Sequence, residues 1–221
     1  IYLEQVSEQE NTYDAGDNLL SRISGREGES TSCQYSYNSQ GLLLSETEDN
    51  SVPVTYSYSQ NGRLLSRQCG EAFIHYTYDL AGKVIKEDSS LTGLTTYDYD
   101  QYGNCITKTN ALGESVVMNY DIFDHCKKVI DPMGNKTLYT YNSLGQMLSH
   151  INAFGEKTTY NYNLAGRPIT ITTPKGGTIT YTYDLYGNPA SVTDEEGYTS
   201  KTLYNEKGQL LEVRDAEGVT Q

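Results

Sequence analysis

Apolar and polar positions alternate along this chain in short runs, and each run is closed by Gly, Asp or Asn. The sharpest runs are Tyr76-Thr77-Tyr78 and Tyr181-Thr182-Tyr183, where an aromatic ring returns at every second position. Side chains alternate across a strand with period two, so both rings of a Tyr-x-Tyr pair fall on one face. The runs themselves recur. The second Tyr of each pair, or its equivalent, stands at Tyr13, Tyr37, Tyr58, Tyr78, Tyr99, Tyr120, Tyr141, Tyr162, Tyr183 and Tyr204, at steps of 24, 21, 20 and then 21 throughout. A fixed period of this length marks a repeat architecture.

Each unit has the same internal order. Asp or Asn follows the key Tyr in nine copies, and Ser59 takes that place in the tenth. Gly stands four residues after the key Tyr in eight copies, and Asp17 and Asp124 replace it in two. A short apolar stretch follows, as in Val84-Ile85 and Met147-Leu148, and in later units a second Gly lies ten residues after the first, from Gly113 to Gly218. Asp or Asn begins a turn by bonding nearby backbone N–H groups. Gly supplies the positive φ that other residues adopt at a cost, and Asp tolerates it better than most. The pattern therefore predicts a β-hairpin per unit. The chain reads as an all-β protein: a long antiparallel meander of about twenty strands, as a curled strip or part of a spiral shell. Pro168 and Pro189 fall at the head of a return strand, a position where Pro is permitted. The candidate structural residues are the repeat slots Tyr78, Asp79 and Gly82; Tyr99, Asp100 and Gly103; Tyr141, Asn142 and Gly145; Tyr162, Asn163 and Gly166; Tyr183, Asp184 and Gly187; and Tyr204, Asn205 and Gly208. Regularity is strongest from Tyr78 onward. Residues 1–10 read as the remnant of a preceding unit, and 1–221 as one array of about ten repeats.

Composition supports this reading. The chain holds 21 Tyr, 3 Phe and no Trp. Tyr is a strong strand former that buries a large ring and keeps a hydroxyl in need of a partner. A Tyr in the same slot of every unit is expected to bury a core shared between neighbours. The net charge of −13 argues against nucleic-acid binding, which rests on Lys and Arg neutralising phosphates. No run approaches the length of a membrane-spanning helix, so no membrane insertion is expected. The start, Ile1-Tyr2-Leu3-Glu4, carries no basic-then-apolar leader, and the chain reads as an excised piece of a longer one.

Candidate chemistry is thin. Cys105 and Cys126 share a repeat slot two strands apart, roughly 10 Å, too far for a disulfide. They and Cys33 and Cys69 read as free thiols. His75, His125 and His150 have no partner at triad or ligand spacing. The acidic clusters at residues 46–49 and 194–196 lack the spacing of a calcium loop. No cofactor, metal site or catalytic residue is expected.

The segments Tyr76-Thr77-Tyr78-Asp79-Leu80-Ala81-Gly82 and Tyr181-Thr182-Tyr183-Asp184-Leu185-Tyr186-Gly187 resemble the YD repeat of the Rhs family, which includes bacterial Rhs and toxin-complex proteins and the animal teneurins. The resemblance implies a β-sheet that spirals into a hollow shell. In bacterial members the shell encloses a toxic C-terminal domain, and in teneurins it is part of an adhesion ectodomain. It implies a shell segment around a toxin or effector domain, with an extracellular adhesion or carbohydrate-binding surface as the alternative. The implied partners are the other repeats and the C-terminal effector domain of the same parent chain, with edge-strand self-association open to a fragment. The implied location is secreted or cell surface. Asp131-Pro132-Met133-Gly134-Asn135 is similar to the family's cleavage motif, but lacks its Leu and sits at an ordinary turn, so no protease role is carried over.

Overall fold

A computed structural model describes residues 8–26, 29–215 and 218. All regular structure among them is β. The strands are β1 (Glu8–Tyr13), β2 (Leu19–Arg26), β3 (Glu29–Tyr37), β4 (Leu43–Glu48), β5 (Val54–Tyr58), β6 (Leu64–Cys69), β7 (Ala72–Tyr78), β8 (Val84–Ser89), β9 (Gly93–Tyr99) and β10 (Cys105–Thr109). They continue as β11 (Ser115–Tyr120), β12 (Cys126–Ile130), β13 (Lys136–Tyr141), β14 (Met147–Ile151), β15 (Lys157–Tyr162), β16 (Pro168–Thr172), β17 (Thr178–Tyr183), β18 (Pro189–Thr193), β19 (Thr199–Tyr204) and β20 (Leu210–Arg214). The twenty strands form one open antiparallel sheet. The chain divides into two compact units, one of residues 1–99 and 107–115 and the other of residues 100–106 and 116–221. The remnant expected at residues 1–10 falls largely outside the described residues, which begin in β1.

From residue 110 onward both turns of a repeat share one geometry. The Asn142 N–H bonds the Gln146 carbonyl (2.9 Å), and the Gly145 N–H bonds the Asn142 carbonyl (3.0 Å). The next turn repeats this with Asn152, Gly155 and Glu156. This is a type I turn followed by a left-handed residue, a common three-residue hairpin connection. The left-handed place is held by Gly145 at φ 79° and Gly155 at φ 80°, and by Asp17 at 61° and Asp124 at 65° where Gly is missing. The Asn142 side-chain oxygen completes the turn by accepting the N–H groups of Leu144 and Gln146, both at 3.0 Å. Asp131 and Asn135 form such a turn as well, so the Asp-Pro-Met-Gly-Asn segment is a hairpin connection.

The irregular steps near the start are absorbed in the turns and strands. The 24-residue step is carried by β2 and β3, which are 8 and 9 residues long. The 20-residue step is absorbed by a tight connection in which Cys69 pairs with Ala72 around Gly70 and Glu71.

Nine of the Tyr strands meet their return strand with a bulge. Tyr141 pairs with Met147 but Thr140 pairs with Ser149, which leaves Leu148 as the extra residue. Pro168 and Pro189 occupy the same place as Met147, opposite Tyr162 and Tyr183. A bulge increases local twist and tolerates Pro.

One expectation is corrected. Among the described residues no apolar side chain is buried, and only Ser89, Thr95 and Ser149 are. A single sheet has no second layer to close over its faces. The Tyr face is half-covered by neighbouring side chains rather than enclosed in a shared core. On the opposite face, hydroxyls pair across the hairpins, as in Ser57 with Ser66 (2.6 Å), Thr140 with Ser149 (2.8 Å) and Thr182 with Ser191 (2.7 Å).

A Cβ at Gly155 would meet nothing within 4 Å, so substitutions there report φ strain alone. Gly155→Val should destabilise the chain by about 1–2 kcal/mol, and Gly155→Asn by less, in chemical denaturation. Equal effects of Val and Asn would overturn the left-handed assignment.

Candidate functional site: the tyrosine junction between repeats

The residue at the head of each return strand, just before the bulged one, lies where the ladder to the next repeat has stopped. Between β14 and β15 the pairs are Ser149 with Thr159, His150 with Thr158 and Ile151 with Lys157. Met147 lies beyond them. The key Tyr of the next repeat reaches this carbonyl with its side chain: the Tyr162 hydroxyl donates to the Met147 carbonyl at 2.8 Å. The same bond joins Tyr78 to Leu64 (2.6 Å), Tyr99 to Val84 (2.8 Å), Tyr120 to Cys105 (3.0 Å), Tyr141 to Cys126 (2.9 Å) and Tyr183 to Pro168 (2.7 Å). Burial pushes the phenols of Tyr120, Tyr141 and Tyr162 above their ordinary value of 10.0.

The ring is engaged too. At three junctions the cationic side chain that follows the turn Gly of one repeat lies over the key Tyr of the next. The Arg63 guanidinium carbon is 5.9 Å from the Tyr78 centroid, the Lys83 ammonium 5.1 Å from Tyr99, and Arg167 5.6 Å from Tyr183. These are cation–π distances. His125 takes this slot over Tyr141, stacked at 4.8 Å, with its Nδ1 3.2 Å from Asp121. The same side chains lie above the next turn. A Cβ added at Gly82 would meet Arg63, at Gly145 His125, and at Gly187 Arg167. Where Asp124 replaces Gly, Asn104 in the equivalent slot bonds its carboxylate at 2.7 Å.

The repeat slots singled out in the sequence therefore fall in two places. Tyr78, Tyr99, Tyr141, Tyr162 and Tyr183 form junctions, and the Asp, Asn and Gly slots form the adjoining turns. Tyr204 pairs with Leu210 across its hairpin, and Asn205 and Gly208 build the turn. Sequence reasoning missed the slot after Gly. Its signal was present as Arg63, Lys83, His125 and Arg167 at one repeat position.

The remaining candidates serve locally. The four cysteines are unbridged. His75 packs on Phe73 at 4.8 Å, and the His150 Nδ1 is 3.1 Å from the Tyr160 hydroxyl. Glu46 accepts the Tyr56 hydroxyl at 2.7 Å, Asp49 accepts the Ser32 N–H at 2.7 Å, and Asp194 caps its own turn. Among the described residues no three His, Cys, Asp or Glu side chains group as metal ligands.

The profile of the family described as Teneurin YD-shell matches residues 12–219. No curated protein matches the chain. Several solved structures share its fold. TcdB2-TccC3-Cdc42 and a Photorhabdus luminescens Tc holotoxin pore carrying a TccC3 mutation are each 16% identical, with TM-score 0.75 over 95% of this chain and 13% of that chain. TcdB2-TccC3 without its hypervariable C-terminal region is 16% identical, with TM-score 0.73 over 93% of this chain and 13% of that chain. The chain thus spans about an eighth of those chains, and the likeness concerns the fold.

Two predictions follow from the junction. Tyr162→Phe keeps the ring and strands the Met147 carbonyl, so it should cost about 1–2 kcal/mol, whereas Tyr102→Phe, on an exposed turn, should cost nothing measurable. Equal midpoints in denaturant for the two variants would refute the bond. The second concerns acid. Asp131 and Asp184 are held below the ordinary carboxylate value of 3.8, first by the Asn135 and Asn188 amides and then by backbone N–H groups, against burial. At Asp100 and Asp121 burial pushes upward, and turn N–H groups outweigh it. A depressed folded value gives stability that is present above 3.8 and lost as pH falls through the folded values. Melting temperature should hold from pH 7 to about 5 and fall towards pH 3. The Asp131→Asn/Asp184→Asn variant should lose less over that fall, and an identical loss would sink the assignment.

Proposed function

The chain belongs to the teneurin YD-shell family, and we propose that it is a wall segment of a longer YD-repeat protein, part of a shell that encloses a toxin or effector domain. The observation that carries this reading is the junction: six key tyrosines, Tyr78 to Tyr183, spend their hydroxyls on backbone carbonyls of the preceding repeat, and the rings of Tyr78, Tyr99, Tyr141 and Tyr183 are covered by a side chain from it. Such residues hold a sheet together and have little left for a ligand. The half-covered Tyr face, with no second layer over it, suits a wall whose partner is another part of the parent chain. The fold's occurrence in TccC3-containing structures, one of them described by the absence of a hypervariable C-terminal region, supports the effector reading. The role is structural rather than catalytic, the location secreted or cell surface, and residues 1–221 act as one repeat array. The adhesion or carbohydrate-binding alternative is weakened at the junctions, where the rings of Tyr78, Tyr99, Tyr141 and Tyr183 are already covered.

The test is protease protection in the parent chain. The segment after the repeats should resist cleavage while the array is intact. It should become cleavable when Gly145→Val and Gly187→Val open two junctions, where a Cβ would collide with His125 and Arg167. Equal cleavage with and without these substitutions would overturn enclosure. A glycan bound by the intact chain and lost in Tyr162→Phe would favour the alternative.

A further inference from the structure

Nine residues after the key Tyr, the return strand carries a side chain on the Tyr face, across the hairpin from the first Tyr of the Tyr-x-Tyr pair. Glu46 pairs there with Tyr35, Arg67 with Tyr56 and Glu87 with Tyr76. Over the first five repeats this position reads Arg22, Glu46, Arg67, Glu87 and Lys108, so the sign of the charge alternates at every step. Over the last five it reads Val129, His150, Ile171, Val192 and Val213. Tyr35, Tyr56, Tyr76 and Tyr97 each stand on the strand between two charged positions, one from the repeat before and one from their own, and the two always differ in sign. Where the charge first gives way to Val129, the tyrosine gives way to Met118. The contacts follow this order. The Tyr56 hydroxyl donates to Glu46 at 2.7 Å. On its other side the hydrogen bond with Tyr56 holds the Arg67 guanidinium above its ordinary value. Burial raises the Tyr76 phenol, Glu87 adds to the rise and Arg67 opposes it. The Lys108 ammonium lies 5.6 Å from the Tyr97 centroid. Glu46 and Glu87 are half-buried, whereas the three cations are exposed.

We propose that this row matches neighbouring hairpins: each phenol accepts opposite charges on its two sides and rejects like charges, so a hairpin docks on the repeat directly before it and not on the one before that. A phenol has one proton to donate and an oxygen that accepts. Between a cation and a carboxylate both capacities are used. Between two carboxylates one of them has no donor, and a half-buried carboxylate without a donor is costly. Between two cations the proton has no acceptor and the like charges repel. Omitting one repeat creates these arrangements. Without the Tyr56 hairpin, Tyr76 would stand between Glu46 and Glu87, and without the Tyr35 hairpin, Tyr56 would stand between Arg22 and Arg67. Misassembly of adjacent units is a characteristic failure of repeat proteins. The bond from the key Tyr cannot guard against it, because every junction offers the same carbonyl. The alternating sign supplies a difference between the correct neighbour and the next. Met118 fits the end of the row, since beside Val129 a hydroxyl would have only one side to serve and a thioether needs neither. The matching does not depend on what the wall encloses.

The experiment is hydrogen exchange read by mass spectrometry in the full-length chain that carries these repeats, on peptides of β4 to β8, with peptides of β15 to β18 as the internal reference. Glu46→Arg sets like charges around Tyr35 and Tyr56, and Arg67→Glu does so around Tyr56 and Tyr76. The two move the net charge in opposite directions. Each should nevertheless speed exchange in β4 to β8 by about tenfold, the size of a lost charge-assisted bond, and by less in high salt. The inversion Arg22→Glu/Glu46→Arg/Arg67→Glu/Glu87→Arg/Lys108→Glu restores alternation with every sign reversed, and should return exchange close to the wild-type rate. Tyr56→Phe removes the phenol, so Glu46→Arg should speed exchange less in that background than alone. Wild-type exchange in both single variants would overturn the proposal, as would an inverted chain that exchanges no more slowly than they do. An effect of Glu46→Arg undiminished in Tyr56→Phe would overturn it as well. So would a loss of protection spread equally over β15 to β18, because the charges would then act on the whole fold and not on neighbouring hairpins.

Discussion

The structure depends on one side-chain-to-backbone bond, the key tyrosine hydroxyl to the carbonyl at the head of the preceding return strand. A one-layer sheet has no buried apolar residue among those described, so the usual source of cohesion is missing. Backbone ladders hold strand to strand, but the ladder from one repeat to the next stops short of the bulge. The hydroxyl gives the carbonyl there a protein partner, a bond worth about 0.5–1.5 kcal/mol net. In a quasi-one-dimensional array stability is close to a sum over neighbouring repeats, so a bond repeated at six junctions sets the stability of the whole strip.

The acceptor shows how tightly this is constrained. Five tyrosines reach back 15 residues, whereas Tyr78 reaches back 14 to Leu64. The step from Tyr58 to Tyr78 is one residue short, and the tight Gly70-Glu71 connection absorbs the deletion. The acceptor therefore stays six residues after the key Tyr of the preceding repeat in every case. Length varies in the turn opposite the junction and not within it. The slot after Gly follows the same logic. It covers the next ring and passes over the next turn, where a Cβ at Gly145 or Gly187 would push against the end of His125 or Arg167 and would also have to adopt φ of 79° or 89°. At Asp124 the overlying Asn104 is short enough to admit a side chain and to hydrogen-bond it.

Much of this was legible in the sequence. The strand boundaries, the Asp/Asn-to-Gly turns, and Pro168 and Pro189 at strand heads all follow from local rules of φ and hydrogen bonding. Sequence regularity from Tyr78 onward coincides with the span of the six hydroxyl bonds, Tyr78 to Tyr183. What was not legible is equally physical. The acceptor is a main-chain carbonyl, and the apolar side chains of Leu64, Val84, Cys105, Cys126, Met147 and Pro168 mark a strand position without marking its carbonyl as an acceptor. The bulge leaves no signature beyond one extra residue. The expectation of a shared core failed because Tyr spacing reports which face the rings share, and does not report whether anything lies over that face.

The division of labour within the repeat explains where new function can be placed. Junction slots are fixed by a bond, a ring and a collision that all involve the neighbouring repeat. The second and third turn positions touch nothing that the hairpin needs, as the full exposure of Leu80, Leu164 and Leu185 shows. Substitution there costs the fold little, so the rim is free to vary along the array while the junction is not. The change from Gln60-Asn61 to Leu80-Ala81, with no change in turn geometry, is that freedom in use. A repeat protein with an invariant clasp and a variable rim can acquire a contact surface one tip at a time, and each added tip lies about 10 Å from the last.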